Sequence, residues 1–285
     1  MIVVTGAAGK LGRLVIEELL KTVPAKEIVA AVRTPAKAQE LAAKGVTVRE
    51  ADYTRPETLK TAFAGAKRLL LISSNELGVR RIDQHKAVID AVKAAGVERV
   101  AYTSLLHADT TSLGLARDHL ATEDYLRASG VAFALLRNGW YMENQTESLA
   151  PALEHGAILG AARNGHIAGA TRRDYAAAAA KVLTAETQTR QVYELAGDEP
   201  YTLSDLAAEV TRQSGRQVVY TDLPQQKYAK ELEKFGLPKT MAEFYADCDR
   251  GIAQGDLDDN SHDLSRLIGR PTAPLSAAVA AALKM

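Results

Sequence analysis

The chain has few of the residues that mark disulfide-rich, metal-binding or membrane proteins. Its 285 residues include one cysteine, Cys248, so no internal disulfide can form, and no His or Cys lies near it at metal-ligand spacing. A lone thiol fits a reducing compartment. No apolar run approaches the roughly 20 residues that span a bilayer, and no basic segment followed by an apolar one marks a signal peptide. We therefore expect a cytoplasmic protein without a metal.

Neither sign of charge is in excess, with 35 Lys and Arg against 35 Asp and Glu. Binding to nucleic acid depends on a basic surface that contacts phosphates, and a polybasic cluster is typical of proteins that bind membrane surfaces. The sequence has neither, so we expect no nucleic-acid partner and no membrane partner. Its length suffices for one large core, or for a main domain with a smaller one.

The most informative motif lies in the first dozen residues, MIVVTGAAGKLG. An apolar run at 2–4 is typical of a strand buried on both faces, and a helical spacing of apolar residues begins at Leu11. Gly6 permits a sharp turn, Gly9 allows a pyrophosphate to approach the backbone, and Gly12 lets the helix pack closely. Strand, glycine turn and helix predict a dinucleotide site at the helix N-terminus. The alternative is a structural βα turn without a ligand.

Strands and helices alternate regularly through the first half of the chain. β-rich runs lie at 2–4, 28–32, 46–49, 69–72, 99–103 and 131–136. Helical patterns lie between them at 36–43, 56–64, 84–95 and 115–128. This alternation predicts an α/β fold, a Rossmann-like doubly wound parallel sheet with helices on both faces.

After Arg137 the pattern becomes irregular and then mainly helical. Helices are expected at 173–183 and 203–214, and strands at 192–195 and 217–222. We expect residues 1–137 to form the dinucleotide-binding core and residues 138–285 to form a smaller, mostly helical part that covers the substrate. The strand at 192–195 is expected to return to the main sheet.

Arg33 occupies the end of the second strand, where NAD-binding folds usually place an acidic residue. A guanidinium attracts a 2′-phosphate and can bind it through two hydrogen bonds, whereas a carboxylate repels it. Arg33 therefore favours NADP(H) over NAD(H), and the alternative is a solvated arginine. Lys10, inside the glycine loop, adds a second positive charge.

Polar side chains also follow the third, fourth and fifth strands, at the sheet edge where ligands bind in open α/β folds. Asp52 either meets the adenine amino group or forms a turn. Small polar residues that can line the ribose path, and a histidine, follow the next two strands: Ser73, Ser74, Asn75, Ser104 and His107. His107 either faces the substrate or caps a loop.

No tyrosine is followed four residues later by a lysine, so the Tyr/Lys pair that donates a proton in typical short-chain dehydrogenases is missing. His119 and Glu123 lie in the helix where that pair belongs, although a helix-surface histidine is more often solvated. The absence favours hydride transfer to an acceptor that needs no strong acid. A quinone fits, because its hydroquinone anion takes a proton from water, whereas a ketone leaves a far more basic alkoxide. A cationic dye carbon also fits, and positioning supplies most of the catalysis.

Seven stretches, from VTGAAGKLG, AVRTPAKA and ADY through LLLISS and AYTSLLHAD to LLRNGWY and TRRDYAAAA, resemble one group of proteins. This is the atypical short-chain dehydrogenase/reductase group that includes the NmrA-like proteins, the bacterial NAD(P)H:quinone oxidoreductases and the triphenylmethane dye reductases. The resemblance implies NADPH-dependent quinone reduction by a homodimer. Because NmrA-like regulators keep the fold without turnover, an NADP(H) redox sensor stays open, as does a triarylmethane dye reductase. A sugar-nucleotide epimerase needs the missing pair.

The resemblance also implies an NADPH site. Carried over to this chain, it comprises Gly6, Ala7, Ala8, Gly9, Lys10, Leu11, Arg33, Ser73, Ser74, Asn75, Arg137, Asn138, Gly139, Trp140, Tyr141, Met142, Gly169, Ala170, Thr171, Arg172, Arg173, Asp174 and Tyr175. The glycine motif adds Gly12 to this set, and the strand-end arguments add Asp52 and Ser104.

No residue is assigned as a certain catalytic group, and four are candidates for positioning the substrate: Tyr141, Trp140, Asn144 and His107. The two aromatic rings either form a flat apolar slot for a planar acceptor or pack at a hinge. Asn138 is a candidate partner of the nicotinamide amide. Thr171 can cap the following helix, with Asp174 three residues on.

Overall fold

The computed structural model describes residues 1–187 and 190–284. The chain forms two compact units, each built from several segments. Unit 1 comprises Met1–Asp109, Leu115–Asn138 and Arg172–Leu195. Unit 2 comprises Thr110–Gly114, Gly139–Thr171 and the residues from Ala196 onward. Because segment Arg172–Leu195 belongs to unit 1, the chain leaves this unit after Asn138 and later returns to it.

The strands in chain order are β1 (Ile2–Thr5), β2 (Ile28–Val32), β3 (Thr47–Glu50), β4 (Arg68–Leu71), β5 (Arg99–Leu105), β6 (Ala132–Asn138), β7 (Ala157–Gly160), β8 (Val192–Leu195) and β9 (Val219–Asp222). Seven of them form one sheet in unit 1, in the order β3-β2-β1-β4-β5-β6-β8. All of its pairings are parallel. The predicted Rossmann-like parallel α/β fold is confirmed.

The helices in chain order are α1 (Lys10–Leu19), α2 (Gln39–Ala43), α3 (Pro56–Ala62), α4 (Val79–Ala94), α5 (Ala116–Ala128), α6 (Glu143–Thr146), α7 (Leu149–His155), α8 (Arg172–Thr184), α9 (Leu203–Ser214), α10 (Gln225–Lys234), α11 (Lys239–Ala253), α12 (Asp263–Ile268) and α13 (Leu275–Ala282). Short 3₁₀ turns lie at Ala25–Glu27 and Pro35–Ala38. In unit 1, α3, α4 and α5 contribute to the main apolar cluster beneath the sheet, and α1 packs against α8. The central strands are buried on both faces, which explains their unbroken apolar sequence.

Several boundaries differ from those that the periodicity predicts. Helix α4 begins at Val79 rather than at residue 84, because its first turn carries Arg80 and Arg81 and the apolar pattern starts later. The helix expected at 36–43 is a 3₁₀ turn followed by the short α2. Helices α6 and α7 were not predicted from the irregular stretch after residue 138.

Unit 2 contains a two-stranded parallel sheet of β7 and β9 and seven of the helices. Helix α9 begins with a capping box in which the Thr202 hydroxyl accepts from the Asp205 N–H and the Asp205 carboxylate accepts from the Thr202 N–H. The buried Asp249 carboxylate of α11 accepts from the Ala161 N–H at 2.7 Å, directly after β7. Burial raises the pKa of Asp249 to about 7, although the Ala161 bond opposes that shift.

Within the described residues, no helix combines the length and the apolar character that crossing a membrane requires. Their His, Cys, Asp and Glu side chains also form no group of three or more that could hold a metal ion.

The turn between β1 and α1 is closely packed around its glycines. Gly6 has a φ of +59°, in the left-handed region that glycine adopts without strain, and its carbonyl accepts from the Gly9 N–H at 2.9 Å. A Cβ added to Gly12 would lie 2.5 Å from the Gly6 oxygen and 2.7 Å from the Ala7 Cα. Gly12 therefore allows the first turn of α1 to rest on the backbone of the loop itself.

We expect Gly12→Ala to lower the free energy of unfolding by about 2 kcal/mol, because both nearest atoms belong to the backbone and cannot rotate away. Urea unfolding followed by circular dichroism measures this change. Gly114→Ala is the matched control, since its Cβ would come no closer than 3.3 Å, and to the end of the Asp247 side chain. Equal stability of the two variants would contradict the packing role of Gly12.

Candidate functional site

The N-terminus of α1 is arranged to accept an anion. Its N-cap, Gly9, makes no side-chain capping bond, and the first turn contains no acidic residue. The first N–H groups of a helix and its dipole both favour a negative charge at this end. The glycine loop directly precedes these groups, and the tight contact at Gly12 keeps the first turn of α1 close to the backbone of that loop. This geometry fits a pyrophosphate, although the binding itself stays a prediction.

Arg33 lies directly after β2 with an exposed side chain, and its guanidinium makes no hydrogen bond or ion pair within the described residues. Arg13 of α1 was not singled out from the sequence. Its guanidinium donates to the carbonyls of Ala8 at 3.0 Å and Lys37 at 2.7 Å. Arg13 therefore ties the glycine loop to the segment that follows Arg33, and no sequence signal distinguished it from other helix-surface arginines.

Asp52 forms a turn after β3. Its carboxylate accepts from the Thr54 N–H at 2.9 Å and from the Thr54 hydroxyl at 2.7 Å. Burial by itself raises the pKa of Asp52, but the Thr54 bonds and the Arg55 guanidinium outweigh it, so the pKa lies below its usual value. The turn-forming alternative therefore describes its observed contacts, and a contact with adenine stays a prediction.

Tyr53, the next residue, was not included among the candidate site residues. Its hydroxyl donates to the Ile72 carbonyl at 2.9 Å and contacts the Thr5 hydroxyl, and burial raises its pKa. Thr5 in turn accepts from the Ile72 N–H at 3.1 Å. These bonds join the ends of β1, β3 and β4. An aromatic residue a few positions after the strand predicted at 46–49 was the one signal that could have identified it.

The two serines after β4 are held by their backbones. The Ser73 N–H donates to the Thr103 hydroxyl and the Ser74 N–H donates to Nε2 of His85, each at 2.9 Å. The Ser74 hydroxyl oxygen is buried and has no hydrogen-bond partner among the described residues. Such an atom is rare in a folded protein unless a ligand or water completes it. This feature of the edge fits a polar cofactor.

His119 of α5 does not lie on a solvated helix surface, so that interpretation is wrong. Its side chain is buried, with Nδ1 at 2.8 Å from the Tyr102 hydroxyl and Nε2 at 3.2 Å from the Arg81 guanidinium. Burial and then the positive charge of Arg81 hold its pKa well below the usual range. A neutral histidine in these bonds carries no proton that it can readily donate to a substrate.

Glu123, the second candidate replacement for the missing pair, is fully buried and ion-paired. Its two carboxylate oxygens accept from Nε and Nη2 of Arg137 at 3.0 and 2.8 Å. The Ser104 hydroxyl also donates to it, at 2.6 Å. Neither His119 nor Glu123 therefore replaces the Tyr/Lys pair as a proton donor.

Arg137 is 3 % exposed, and its guanidinium contacts three carboxylates of unit 1. Besides Glu123, its Nη1 lies 2.8 Å from Glu194 and 2.9 Å from Asp109. Burial alone would lower the pKa of Arg137, but its bonds to these carboxylates raise it instead. The predicted cofactor contact of Arg137 stays a prediction, while its observed contacts link α5, β6 and β8.

His107 follows β5 in a left-handed conformation with a φ of +52°, and its N–H donates to the second Glu194 oxygen at 2.9 Å. The Asn138 carbonyl accepts from the Leu106 N–H at 3.0 Å. The ends of β5 and β6 are therefore joined at the residues where substrate and nicotinamide contacts are predicted.

In unit 2, two of the predicted segments lie side by side. Tyr141 forms a parallel β-bridge with Ala170, and the backbone N–H groups of Ala170 and Met142 close it through bonds of 3.1 and 3.0 Å. Trp140, Tyr141 and Asn144 are half-buried. Residues 29 positions apart are thereby brought together, as their joint assignment to one site requires.

Gly169 belongs to the same arrangement, because a Cβ there would come within 3.0 Å of the Tyr201 ring. The Tyr201 hydroxyl donates to Gln145 at 2.7 Å, and burial raises the pKa of Tyr201. Like Tyr53, Tyr201 is a buried tyrosine with a packing role that the sequence did not indicate.

The last predicted segment opens α8 in unit 1. Asp174 and Tyr175 are buried, whereas Arg173 is exposed and pairs with Glu17 and Glu18 of α1, each at 3.5 Å. These ion pairs account for Arg173 as part of the α1–α8 packing.

Residues 1–262 match the NmrA-like family. Quinone oxidoreductase 2 of Escherichia coli (strain K12) is 55% identical over 279 residues, which cover 98% of this chain and 97% of that protein. The crystal structure of NADPH-dependent quinone oxidoreductase from Escherichia coli complexed with NADPH matches this chain with a TM-score of 0.96. The match covers 99% of this chain and 100% of the E. coli chain. The Citrobacter sp. triphenylmethane reductase complexed with NADP(H) is 39% identical, with a TM-score of 0.95 over 99% of this chain and 100% of its own. The resemblance based on the motifs is confirmed: the chain belongs to the NmrA-like family.

Proposed function

We propose that this chain is an NADPH-dependent oxidoreductase that reduces quinones by direct hydride transfer. The observation that carries the proposal is its 55% identity, over 98% of its length, to the quinone oxidoreductase 2 of Escherichia coli. The parallel sheet, the glycine turn and the polar edge of unit 1 are consistent with it.

The residues of unit 1 fit NADPH. The uncapped N-terminus of α1 suits the pyrophosphate, and Arg33 is exposed and has no competing partner among the described residues, which suits a 2′-phosphate. Ser73 and Ser74 follow β4 at the edge where the ribose is expected. When bound, NADPH supplies the hydride.

The proposed class of acceptor follows from the state of the two candidate proton donors at this edge of the sheet. His119 is neutral and buried, and Glu123 is ion-paired with Arg137, so neither supplies a proton to a developing alkoxide. A hydroquinone anion is a much weaker base and takes its proton from water. Quinones therefore suit this chain better than ketones, and orientation of the acceptor carries most of the rate.

Two parts of the chain have different proposed roles, in cofactor binding and in contacts with the acceptor. Residues 1–137 form the NADP-binding core, and residues 138–285 contribute acceptor contacts through Trp140, Tyr141 and Asn144, together with His107 of the core. The proposed substrate is a small-molecule quinone, the proposed compartment is the cytoplasm, and the proposed assembly is a homodimer.

The direct test is NADPH oxidation by the purified chain with a simple benzoquinone, compared with a blank that lacks enzyme. Turnover with NADPH well above that with NADH supports the reductase. A triarylmethane dye is the second acceptor, because the Citrobacter triphenylmethane reductase resembles this chain over nearly its whole length. Tight NADPH binding without oxidation by any quinone or by the dye would favour the redox sensor instead.

Replacing Arg33 by Ala is expected to raise the KM for NADPH by about tenfold, because a charge-assisted contact with the 2′-phosphate is lost. The KM for NADH should change little, since NADH lacks that phosphate. Arg163→Ala, which removes another exposed arginine outside the predicted site, is the control. Equal effects of Arg33→Ala on the two cofactors would contradict the specificity argument.

Replacing Tyr141 by Ala is expected to lower kcat/KM for the quinone by about tenfold while the Kd for NADPH stays the same, because an aromatic face that stacks on a planar acceptor is lost. Tyr141→Phe keeps the ring and should retain most of the activity. Steady-state kinetics with the quinone varied, combined with NADPH fluorescence titration, separates the two effects. Unchanged quinone kinetics in Tyr141→Ala would leave Tyr141 with a packing role only.

A further inference from the structure

The loop between β4 and α4 is tied to buried polar side chains of α4 and α5. The Gly78 N–H donates to the Asp118 carboxylate at 2.7 Å, and Nε of Arg81 donates to the Glu76 carbonyl. Arg81 and Asp118 are each 6 % exposed. These bonds hold the far end of the loop, where Gly78 has a φ of +65°.

At the near end of the loop, the Ser74 backbone is held by the side chain of His85. Nε2 of this fully buried residue accepts from the Ser74 N–H at 2.9 Å. A backbone N–H can only donate, so Nε2 carries no hydrogen, and the neutral ring carries its hydrogen on Nδ1. That Nδ1–H donates to the Thr122 hydroxyl at 2.9 Å. The Thr122 hydroxyl in turn donates a hydrogen bond to the Asp118 carbonyl, also at 2.9 Å.

The tautomer of a second buried histidine, His119, is fixed in the same way. The Arg81 guanidinium can only donate, so Nε2 of His119 accepts from it and Nδ1–H of His119 donates to the Tyr102 hydroxyl. Neither ring has room for a second proton, because each bare nitrogen faces a donor. Burial and the nearby Arg81 charge lower the pKa of His85 to about 3, so the arrangement holds throughout the neutral range.

The residue that His85 holds, Ser74, has a hydroxyl without a hydrogen-bond partner among the described residues. The Ser74 Oγ is buried and bonds to no described residue, and Ser73 beside it is held through its N–H by Thr103. Both serines follow β4 at the edge of the parallel sheet where ligands bind. A buried hydroxyl without a protein partner is suited to bond a polar group of a ligand.

We propose that His85 is a positioning residue for NADPH. By accepting the Ser74 N–H, it fixes the main chain after β4 so that the Ser74 hydroxyl is held ready to bond a polar group of the cofactor. His85 itself does not contact the cofactor. This inference rests on the proposed use of NADPH by this chain.

The test compares His85→Leu, which removes the acceptor, with His85→Gln, whose amide oxygen can still accept from the Ser74 N–H. We expect His85→Leu to raise the KM and Kd for NADPH by about tenfold, the effect of one lost hydrogen bond, with kcat within about twofold. His85→Gln should recover most of that loss. The Kd is measured by NADPH fluorescence and the KM with a benzoquinone as acceptor.

Tyr102→Phe is the matched control. It removes one hydroxyl from the same buried cluster, keeps the ring, and leaves the bond between His85 and Ser74 in place. It should lower the Tm without changing the KM for NADPH. If His85→Leu and Tyr102→Phe have the same KM for NADPH as the wild type, His85 is a packing residue and the proposal is wrong.

A double-variant cycle tests whether His85 acts through Ser74. In the Ser74→Ala background, His85→Leu should add little to the KM, because the hydroxyl that it positions is already absent. Full additivity of the two effects would overturn the proposal. Because the cycle is also read from the Kd for NADPH, it remains informative if the wild type binds NADPH but reduces no quinone, an outcome that refutes only the proposed reductase.

The tautomer of His85 can be measured in the wild-type protein, so the proposal stays testable if His85→Leu does not fold. Long-range ¹H–¹⁵N correlation spectra of the histidine rings at neutral pH should show a hydrogen on Nδ1 and a bare Nε2. A hydrogen on Nε2 would break the bond to the Ser74 N–H and would overturn the inference.

Discussion

The buried guanidinium of Arg137 organises the edge of the sheet in unit 1 where the strands β5, β6 and β8 end. It contacts Glu123 of α5, Glu194 of β8 and Asp109, which follows β5, and it lies on β6 itself. A buried charge is tolerated only when it is paired, and loss of one partner from such a pair typically costs about 3–5 kcal/mol. These strand ends are therefore held in one arrangement, and the loops that follow them start from fixed positions.

The two residues that could replace the Tyr/Lys proton relay, His119 and Glu123, are both buried at this edge. Both are engaged in hydrogen bonds with other side chains, Glu123 with Arg137 and His119 with Tyr102 and Arg81. The buried polar groups here orient backbone and loops. This arrangement fits the proposed quinone acceptor, which takes a hydride and needs no strong acid, so that the orientation of the acceptor is expected to supply most of the rate.

Much of the fold could be predicted because its signals are local. The strand at 28–32 and the helix at 203–214 appear with their predicted bounds, since each has a periodicity that its surroundings reinforce. Helix α4 starts earlier than predicted because a hydropathy pattern treats Arg81 as a solvated charge. In the structure, Arg81 is buried and bonds to His119 and to the Glu76 carbonyl in the loop before α4. Helices α6 and α7 are too short for periodicity to identify.

By itself, the sequence determined the glycine turn, the arginine after β2 and the absence of the Tyr/Lys pair, because each depends on residue type and short spacing along the chain. Only the tertiary structure decided the roles of Arg137, Glu123, His119 and His85. Several of their partners lie far away in sequence, such as Glu194, 57 residues from Arg137, and Arg81, 38 residues from His119. Whether a polar side chain is solvated, ion-paired or held in one tautomer depends on the neighbours that folding brings to it, and residue type alone does not specify them.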